Sequence, residues 1–102
     1  MIKVIIKGKK DSIQKITIKG HAMYDDYGKD IVCSAVSSIV TTTVNDILAL
    51  ESDGLKYTEK DGFVEIYDIK SKTGLKLVNV MINMFKSLEK DYPSNIKISK
   101  ED

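Results

Sequence analysis

The sequence predicts a single two-layer α+β domain over residues 1–102, with strands and helices in the order ββαββαβ. Short segments that alternate apolar and polar residues indicate five strands, and two longer segments with apolar residues at three- and four-residue spacing indicate two helices. A content of 42% hydrophobic residues in 102 residues is enough to bury a core without disulfides or metal. A sheet with two helices is typical of a two-layer domain.

The first two strands are expected to form a hairpin. Ile2, Val4 and Ile6 alternate with lysines, as in a half-buried strand. Ser12–Lys19 is rich in β-branched residues, and the turn-like segment Gly8–Asp11 connects the two. The order in which the strands pair across the sheet is left open.

A helix is predicted over Ile31–Leu50, with Asp30 as its N-cap after a loop that ends at Gly28–Lys29. Its β-branched run Ile39–Val44 loses rotamer freedom in a helix, so packing must stabilise this part. Its outer face carries no charge from Ile31 to Asn45. We therefore expect the sheet and a second subunit to cover it, which makes a homodimer.

The second half of the chain predicts a hairpin, a helix and a last strand. Asp61–Gly62 separates two β-rich runs, Leu55–Glu59 and Phe63–Ile69, and Asp-Gly is a strong hairpin signal. An amphipathic helix is expected from about Thr73–Gly74 to just before Tyr92, and Asn95–Ile98 reads as the last strand.

Charge and cysteine content exclude some classes of function. The formal net charge is +1 and the lysines and acids are spread along the chain, so we expect no direct nucleic-acid binding. The segment MIKVIIKGKK is too short and too alternating for a signal peptide or membrane span, and one cysteine makes no internal disulfide. These features favour a cytoplasmic protein that does not contact membranes.

The only histidine, His21, and the only cysteine, Cys33, lie close together in the sequence. Gly20 suits a chain that leaves a strand in an unusual backbone conformation just before His21. If Asp30 is the N-cap, Cys33 is the third helical residue, and its sulfur lies near unpaired N–H groups that stabilise a thiolate. A strand-end imidazole could then serve this thiol as a base. The alternative is a packed, inert thiol and an unconnected surface histidine.

Two further residues could support such a site. Asp30 could orient His21 as well as cap the helix, and Ser37 lies one helical turn after Cys33 on the same face. A metal site is not expected, because His21 and Cys33 supply two ligands and the nearby aspartates complete a poor zinc set. No cofactor is expected either.

These residues form a recognisable pattern: Gly20-His21-Ala22, then Gly28-Lys29, then Asp30 to Ser37. The pattern resembles the bacterial ribosomal-processing cysteine protease family, Prp, and the ββαββαβ order matches along essentially the whole chain. The resemblance implies a homodimeric enzyme that removes a short N-terminal extension from a large-subunit ribosomal protein during ribosome assembly. It implies that Cys33 is the nucleophile and His21 the general base, supported by four further positions: Gly20, Gly28, Asp30 and Ser37.

Two other classes of function stay open from the sequence. A non-enzymatic ribosome- or RNA-associated module would not need Cys33, whereas a thiol redox sensor would need Cys33 but not His21. The stretch Ala22–Lys29 is expected to be a loop between base and nucleophile. Met23, Tyr24 and Tyr27 are candidates for the wall of a substrate groove.

Overall fold

The computed structural model describes residues 1–20 and 27–101, and it has the predicted element order. The strands and helices are β1 (Ile2–Lys9), β2 (Ser12–Lys19), α1 (Tyr27–Leu50), β3 (Lys56–Lys60), β4 (Phe63–Tyr67), α2 (Lys72–Asp91) and β5 (Ile96–Glu101). The α+β class and the ββαββαβ order are therefore confirmed.

All five strands form one sheet in the order β3-β4-β2-β1-β5. β1 pairs antiparallel with β2 and parallel with β5, while β2–β4 and β4–β3 are antiparallel. The register places Ile6 beside Ile16, and Ile16 beside Ile66, so one face of the sheet receives a continuous row of isoleucines. β3 and β5 are the edge strands.

Both helices pack on this isoleucine-rich face. Val32 and Val36 of α1 and Val78 and Phe85 of α2 are buried in one cluster with the inward strand residues. The strand residues of that cluster are Ile2, Val4, Ile6, Ile13, Ile16, Ile18, Val64, Ile66 and Ile96. The core therefore lies between the sheet and the helix pair.

The opposite face of the sheet, which we call the free face, has no buried residue among those described. The register assigns it Lys3, Ile5, Lys7, Lys9, Ser12, Lys15, Thr17, Lys19, Lys56, Thr58, Lys60, Phe63, Glu65, Tyr67, Lys97, Ser99 and Glu101. The domain is thus a two-layer structure in which one side of the sheet is left open within the part of the chain that the structure describes.

Helix α1 begins at Tyr27, four residues earlier than predicted. Gly28 and Lys29 are helical, and Asp30 is the fourth helical residue, so its predicted role as N-cap is wrong. Gly28 was predicted to lie in the loop before the helix, but one glycine costs a helix only about 1 kcal/mol relative to alanine. An acid is also favoured in the first turn by the helix dipole. Residues 27–29 of the predicted loop are therefore helical. Residues 22–26 lie outside the described part.

Helix α2 begins at Lys72, one to two residues before the predicted start, and its N-terminus is capped. The hydroxyl of Ser71 accepts a hydrogen bond from the Gly74 N–H at 3.0 Å, so Ser71 is the N-cap. The helix ends at Asp91 with Tyr92 as C-cap, as predicted.

The hairpin predicted at Asp61–Gly62 is present, and Gly62 has the positive φ of 73° that such a turn needs. β3 is shifted by one residue from the prediction and β4 ends at Tyr67, two residues early. β5 extends to Glu101 because it pairs with β1 along its whole length, although its last residues are polar.

The segment Ile31–Leu50 of α1 is long and apolar enough, by length and composition alone, to cross a membrane. Core helices of globular domains pass the same test, and the inward side of α1, including Val32 and Val36, is buried against the sheet. Its outward side includes Ile31 and Leu50, which are 47% and 64% exposed. Between Ile31 and Asn45 this outward side carries no charged residue, which is unusual for a surface helix.

Candidate active site

Gly20 fixes the point where the chain leaves β2 on its way to His21. Its φ is +82°, and a Cβ added there would lie 2.6 Å from the Met1 carbonyl oxygen. Its N–H donates a hydrogen bond to the Gly62 carbonyl at 2.9 Å. The predicted unusual backbone at Gly20 is confirmed, and no residue with a side chain fits this position without strain.

Cys33 is the seventh residue of α1, almost two turns into the helix. The first four N–H groups of a helix are the unpaired ones, and they belong to residues well before Cys33. The predicted contact between the sulfur and these groups is therefore wrong. Cys33 is a free thiol, half-buried, and packs against the core cluster.

Ser37 is exposed one turn after Cys33 and lines a small hollow with Val36, Ile18 and Val64. This hollow places the middle of α1 over the last residues of β2, since Ile18 is two residues before Gly20. Cys33 lies one turn, about 5.4 Å, farther toward the helix start. The structure thus brings Cys33, Ser37 and the end of β2 to the same end of the domain.

Three of the predicted site positions are less fully described. His21 lies outside the described residues. Gly28 and Asp30 are placed in the first turn of α1 by their backbone alone. Met23 and Tyr24, two candidates for a groove wall, also lie outside the described residues, and Tyr27 is the first residue of α1.

A groove that the sequence reading did not identify runs beside α1. The hollow at Ser37 continues into a second one, and the two share Val40, Thr41, Glu59 and Val64. We call this surface the α1–β3 groove; its residues are Ile18, Val36, Ser37, Val40, Thr41, Val44, Asn45, Tyr57, Glu59 and Val64. It starts one turn from Cys33 and is mainly apolar.

The wall of this groove on the strand side is formed by the edge strand β3. Tyr57 pairs with the buried Ile66, so it faces the helix layer, yet it is 48% exposed. The sequence signal for the groove was Tyr57, an aromatic residue at an inward position of an edge strand. This signal could predict the groove only once the strand order was known, because Tyr57 and Val40 are distant in sequence.

Residues 1–20 and 27–101 contain no cluster of three histidine, cysteine, aspartate or glutamate side chains that could hold a metal ion. The chemistry available in the described part of the site is that of a thiol beside an apolar groove.

The sequence model of the family described as "Cysteine protease Prp" matches residues 1–97. The chain belongs to this family. Relatives named "Ribosomal processing cysteine protease Prp" include one from Bacillus subtilis, 28% identical over 97% of this chain and 96% of the relative. Another, from Staphylococcus aureus, is 26% identical over 85% of this chain and 86% of the relative.

Solved structures of a Prp protease agree with the fold. The S. aureus enzyme in complex with a substrate peptide has a TM-score of 0.89 and 25% identity, covering 99% of this chain and all of that one. The S. aureus enzyme with a covalently linked product peptide gives a TM-score of 0.85 and 26% identity, covering 99% and 100%. As a member of the Prp family, the protein is a cysteine protease, and this excludes the non-enzymatic alternative.

Proposed function

We propose that the protein is a cytoplasmic endopeptidase that removes a short N-terminal extension from a large-subunit ribosomal protein during ribosome assembly. Cys33 is the nucleophile and His21 the general base. One observation carries this proposal: a cysteine protease needs a nucleophilic cysteine, and the chain contains only Cys33.

The position of Cys33 supports its role as nucleophile. The thiol is half-buried, so it is accessible to a substrate carbonyl while its helix and the core hold it in place. It also lies one turn from the start of the α1–β3 groove, where a peptide can bind. A thiol buried deep in the core would have supported the inert alternative.

The assignment of His21 as base rests on the course of the chain. His21 is the only histidine and follows Ile18 by three residues. Three residues span at most about 10 Å, and Ile18 lines a hollow with Val36, one turn after Cys33. This short chain distance supports His21 as the base that serves Cys33.

The reaction follows the usual course of acyl transfer. Cys33 loses its proton to His21, and the thiolate attacks the scissile carbonyl to form a tetrahedral intermediate. His21 returns the proton to the leaving amine as the C–N bond breaks, leaving a thioester on Cys33. Water, deprotonated by His21, then hydrolyses this thioester and frees the thiol.

The α1–β3 groove is the proposed binding site for the substrate. Its walls combine Val40, Val44 and Val64 with the half-exposed ring of Tyr57, and these accept the apolar side chains of an extended peptide. β3 is an edge strand, so its outer backbone groups can also pair with such a peptide. Support for a ribosomal substrate comes from the relatives, which are named ribosomal processing proteases.

A cleavage assay tests the two catalytic assignments. The substrate is a fluorogenic peptide that spans the N-terminal region of a large-subunit ribosomal protein from the same genome. Cys33→Ala and His21→Ala should each lower kcat/KM by a factor on the order of 10³ or more. The matched control is Ser34→Ala, which changes the exposed neighbour of Cys33.

The outcomes separate the assignments from one another. Retained cleavage by Cys33→Ala would overturn the protease mechanism proposed here. Retained cleavage by His21→Ala, with Cys33→Ala inactive, would overturn only the general base. A loss that Ser34→Ala shares would point to damage of the helix.

We also infer that the enzyme is a homodimer that buries part of the outer face of α1 or the neighbouring hairpins. From Ile31 to Asn45 the helix has no charged residue, and its exposed positions are one isoleucine, five serines and threonines, and one asparagine. Such a face is poorly suited to open water and suits a second copy of the chain.

Light scattering at micromolar concentration should give twice the mass of the chain. Thr42→Glu, which adds a charge to this outer face, should shift the mass toward the monomer, whereas Ser87→Glu on exposed α2 should not. A monomeric mass for the unchanged protein would contradict the dimer.

A further inference from the structure

The free face of the sheet concentrates positive charge. It carries eight lysines and two glutamates, although the whole chain has a formal net charge of only +1. The lysines are Lys3, Lys7, Lys9, Lys15, Lys19, Lys56, Lys60 and Lys97; the glutamates are Glu65 and Glu101. The fold therefore places half of the sixteen lysines of the chain on one surface that is five strands wide.

Strand pairing interleaves the two aromatic residues of this face with lysines. Phe63 on β4 pairs with Lys60 on β3 and with Lys19 on β2. Four residues along the strand, Tyr67 pairs with Lys56 and Lys15 in the same way. Both rings are half-exposed. Each ring is thus flanked across the sheet by a lysine on each neighbouring strand.

Like charges face each other across neighbouring strands. Lys3 is directly opposite Lys19 and beside Lys97, and Lys7 is opposite Lys15. Like charges at directly opposed positions destabilise a sheet. An anion bound across these positions would remove the repulsion.

Acidic neighbours compensate part of the charge. Lys15 forms an ion pair with Glu65 at 3.4 Å, and Lys56 pairs with Asp68 at 3.5 Å, just beyond β4. Glu101 pairs in register with Lys7. The row formed by Lys60, Phe63, Lys19, Lys3 and Lys97 contains no acid at all.

We propose that the free face binds single-stranded RNA. The lysines contact phosphates, and Phe63 and Tyr67 stack on bases. Sheets that present aromatic rings to splayed bases, with a basic surface along the backbone, are an established way to bind single strands. With strands about 4.8 Å apart, the acid-free row is about 19 Å long. Lysines alone would also suit an acidic peptide, but partly exposed rings between lysines favour nucleotides.

The position of the acid-free row relates this surface to the protease site. Lys19 is followed by Gly20, where the chain leaves the sheet toward His21. RNA on this row would lie at the same end of the domain as Cys33, but on the opposite side of the sheet. The α1–β3 groove would remain open, so that the enzyme could hold RNA and a peptide substrate together.

Fluorescence anisotropy with a labelled oligouridine of about 20 nucleotides and the full chain tests the proposal. Affinity should fall steeply between about 50 and 200 mM salt, as counterion release requires. The double variant Lys3→Glu/Lys19→Glu should bind about tenfold more weakly or worse. The matched control Lys72→Glu/Lys76→Glu changes the charge equally on exposed α2 and should lose much less. Phe63→Leu/Tyr67→Leu should weaken binding without changing the salt slope, because it removes stacking alone.

Two further measurements make the result decisive. Lys3→Glu alone places a carboxylate between Lys19 and Lys97. This variant should therefore be at least as stable as the unchanged protein and should still bind RNA more weakly. Cleavage of a short peptide should be unchanged in these variants, so RNA binding is tested independently of the proposed protease mechanism.

Three results would overturn the proposal. The first is that the unchanged protein does not bind oligouridine at low salt. The second is that the α2 control variant loses as much affinity as the Lys3→Glu/Lys19→Glu variant. The third is that polyglutamate displaces the labelled oligouridine as well as unlabelled RNA of equal charge does, which would show a general anion-binding surface.

Discussion

The two faces of the sheet are built by alternate residues of the same strands, yet they differ in almost every property. Ile6 and its row partners on one face are buried under two helices. Ile5 on the other face lies among threonines, serine and lysines and is only half-buried. One face holds the domain together and positions Cys33, while the other presents charge to the solvent.

The difference shows how a strand with a period of two can serve two purposes. Lys3 and Lys7 keep the pattern that buries Val4 and Ile6, so the same alternation that makes the core also gathers lysines on the outer side. Net charge alone does not reveal this, because the acids that balance it lie mostly elsewhere in the chain. The expectation of no nucleic-acid binding rested on that net charge. Our proposal that the free face binds RNA replaces this expectation.

The largest expected effect compares neighbouring isoleucines of β1. Ile6→Ala should destabilise the protein by about 3 kcal/mol, because it leaves a cavity in the core where the side chain is 2% exposed. Ile5→Ala makes the same chemical change on the free face and should cost about 1 kcal/mol or less. Urea denaturation of both variants measures the difference.

Equal losses of stability in Ile6→Ala and Ile5→Ala would contradict the difference between the two faces. Such a result would mean that something buries Ile5 in solution, for example a second copy of the chain on the free face. The dimer interface would then be assigned to the sheet instead of α1, and the second copy would cover the proposed RNA-binding surface.

Elements that depend on local pattern could be predicted from the sequence, and those that depend on pairing could not. The alternation of β1 and the Asp61–Gly62 turn were read correctly because neighbouring residues specify them. The start of α1 was misplaced because Gly28 was assigned to the preceding loop, although a helix tolerates a single glycine. The end of β5 was missed because its polar residues extend only by pairing with β1.

The candidate site shows the same division. Gly20 was identified from its place between a strand and His21, and its positive φ confirms the reason. The α1–β3 groove was missed because it joins Val40 to Tyr57 across the layers. The interleaved lysines and rings were missed because the pairing of β2 with β4 reaches across α1 in the sequence.

An intermediate effect is expected from glycines at the two ends of the β1–β2 pair. Gly20→Ala and Gly8→Ala should each destabilise the fold by about 1–3 kcal/mol. Both have positive φ, +82° and +101°, and at both a Cβ would lie 2.6 Å from a carbonyl oxygen. Only Gly20→Ala should also reduce cleavage in conditions where both variants are fully folded, because only Gly20 directs the chain to His21.

Thermal denaturation and kcat/KM for the same samples separate the two effects. If Gly8→Ala reduced cleavage as much as Gly20→Ala, the loss would reflect general strain in the sheet. The end of β2 would then have no special part in placing the base.

The smallest expected effect is a gain in stability from a charge reversal on the free face. Lys3→Glu exchanges two repulsive neighbours, Lys19 and Lys97, for two attractive ones. Cross-strand pairs of opposite charge contribute a few tenths of a kcal/mol, so we expect the free energy of unfolding to rise by about 0.5 kcal/mol. For a domain of this size that raises the Tm by about 2–4 °C.

Salt distinguishes this electrostatic cause from a change in packing. At 1 M salt the Debye length falls to about 3 Å, so the gain from Lys3→Glu should shrink or vanish. Lys86→Glu on exposed α2 reverses the same charge without opposed lysines across a strand and should change stability less. A Lys3→Glu variant less stable than the unchanged protein at low salt would show that Lys3 already has a favourable contact in the folded chain. The expected gain, by contrast, would mean that Lys3 lowers the stability of the folded chain, as expected of a lysine that faces other lysines on a surface that binds an anion.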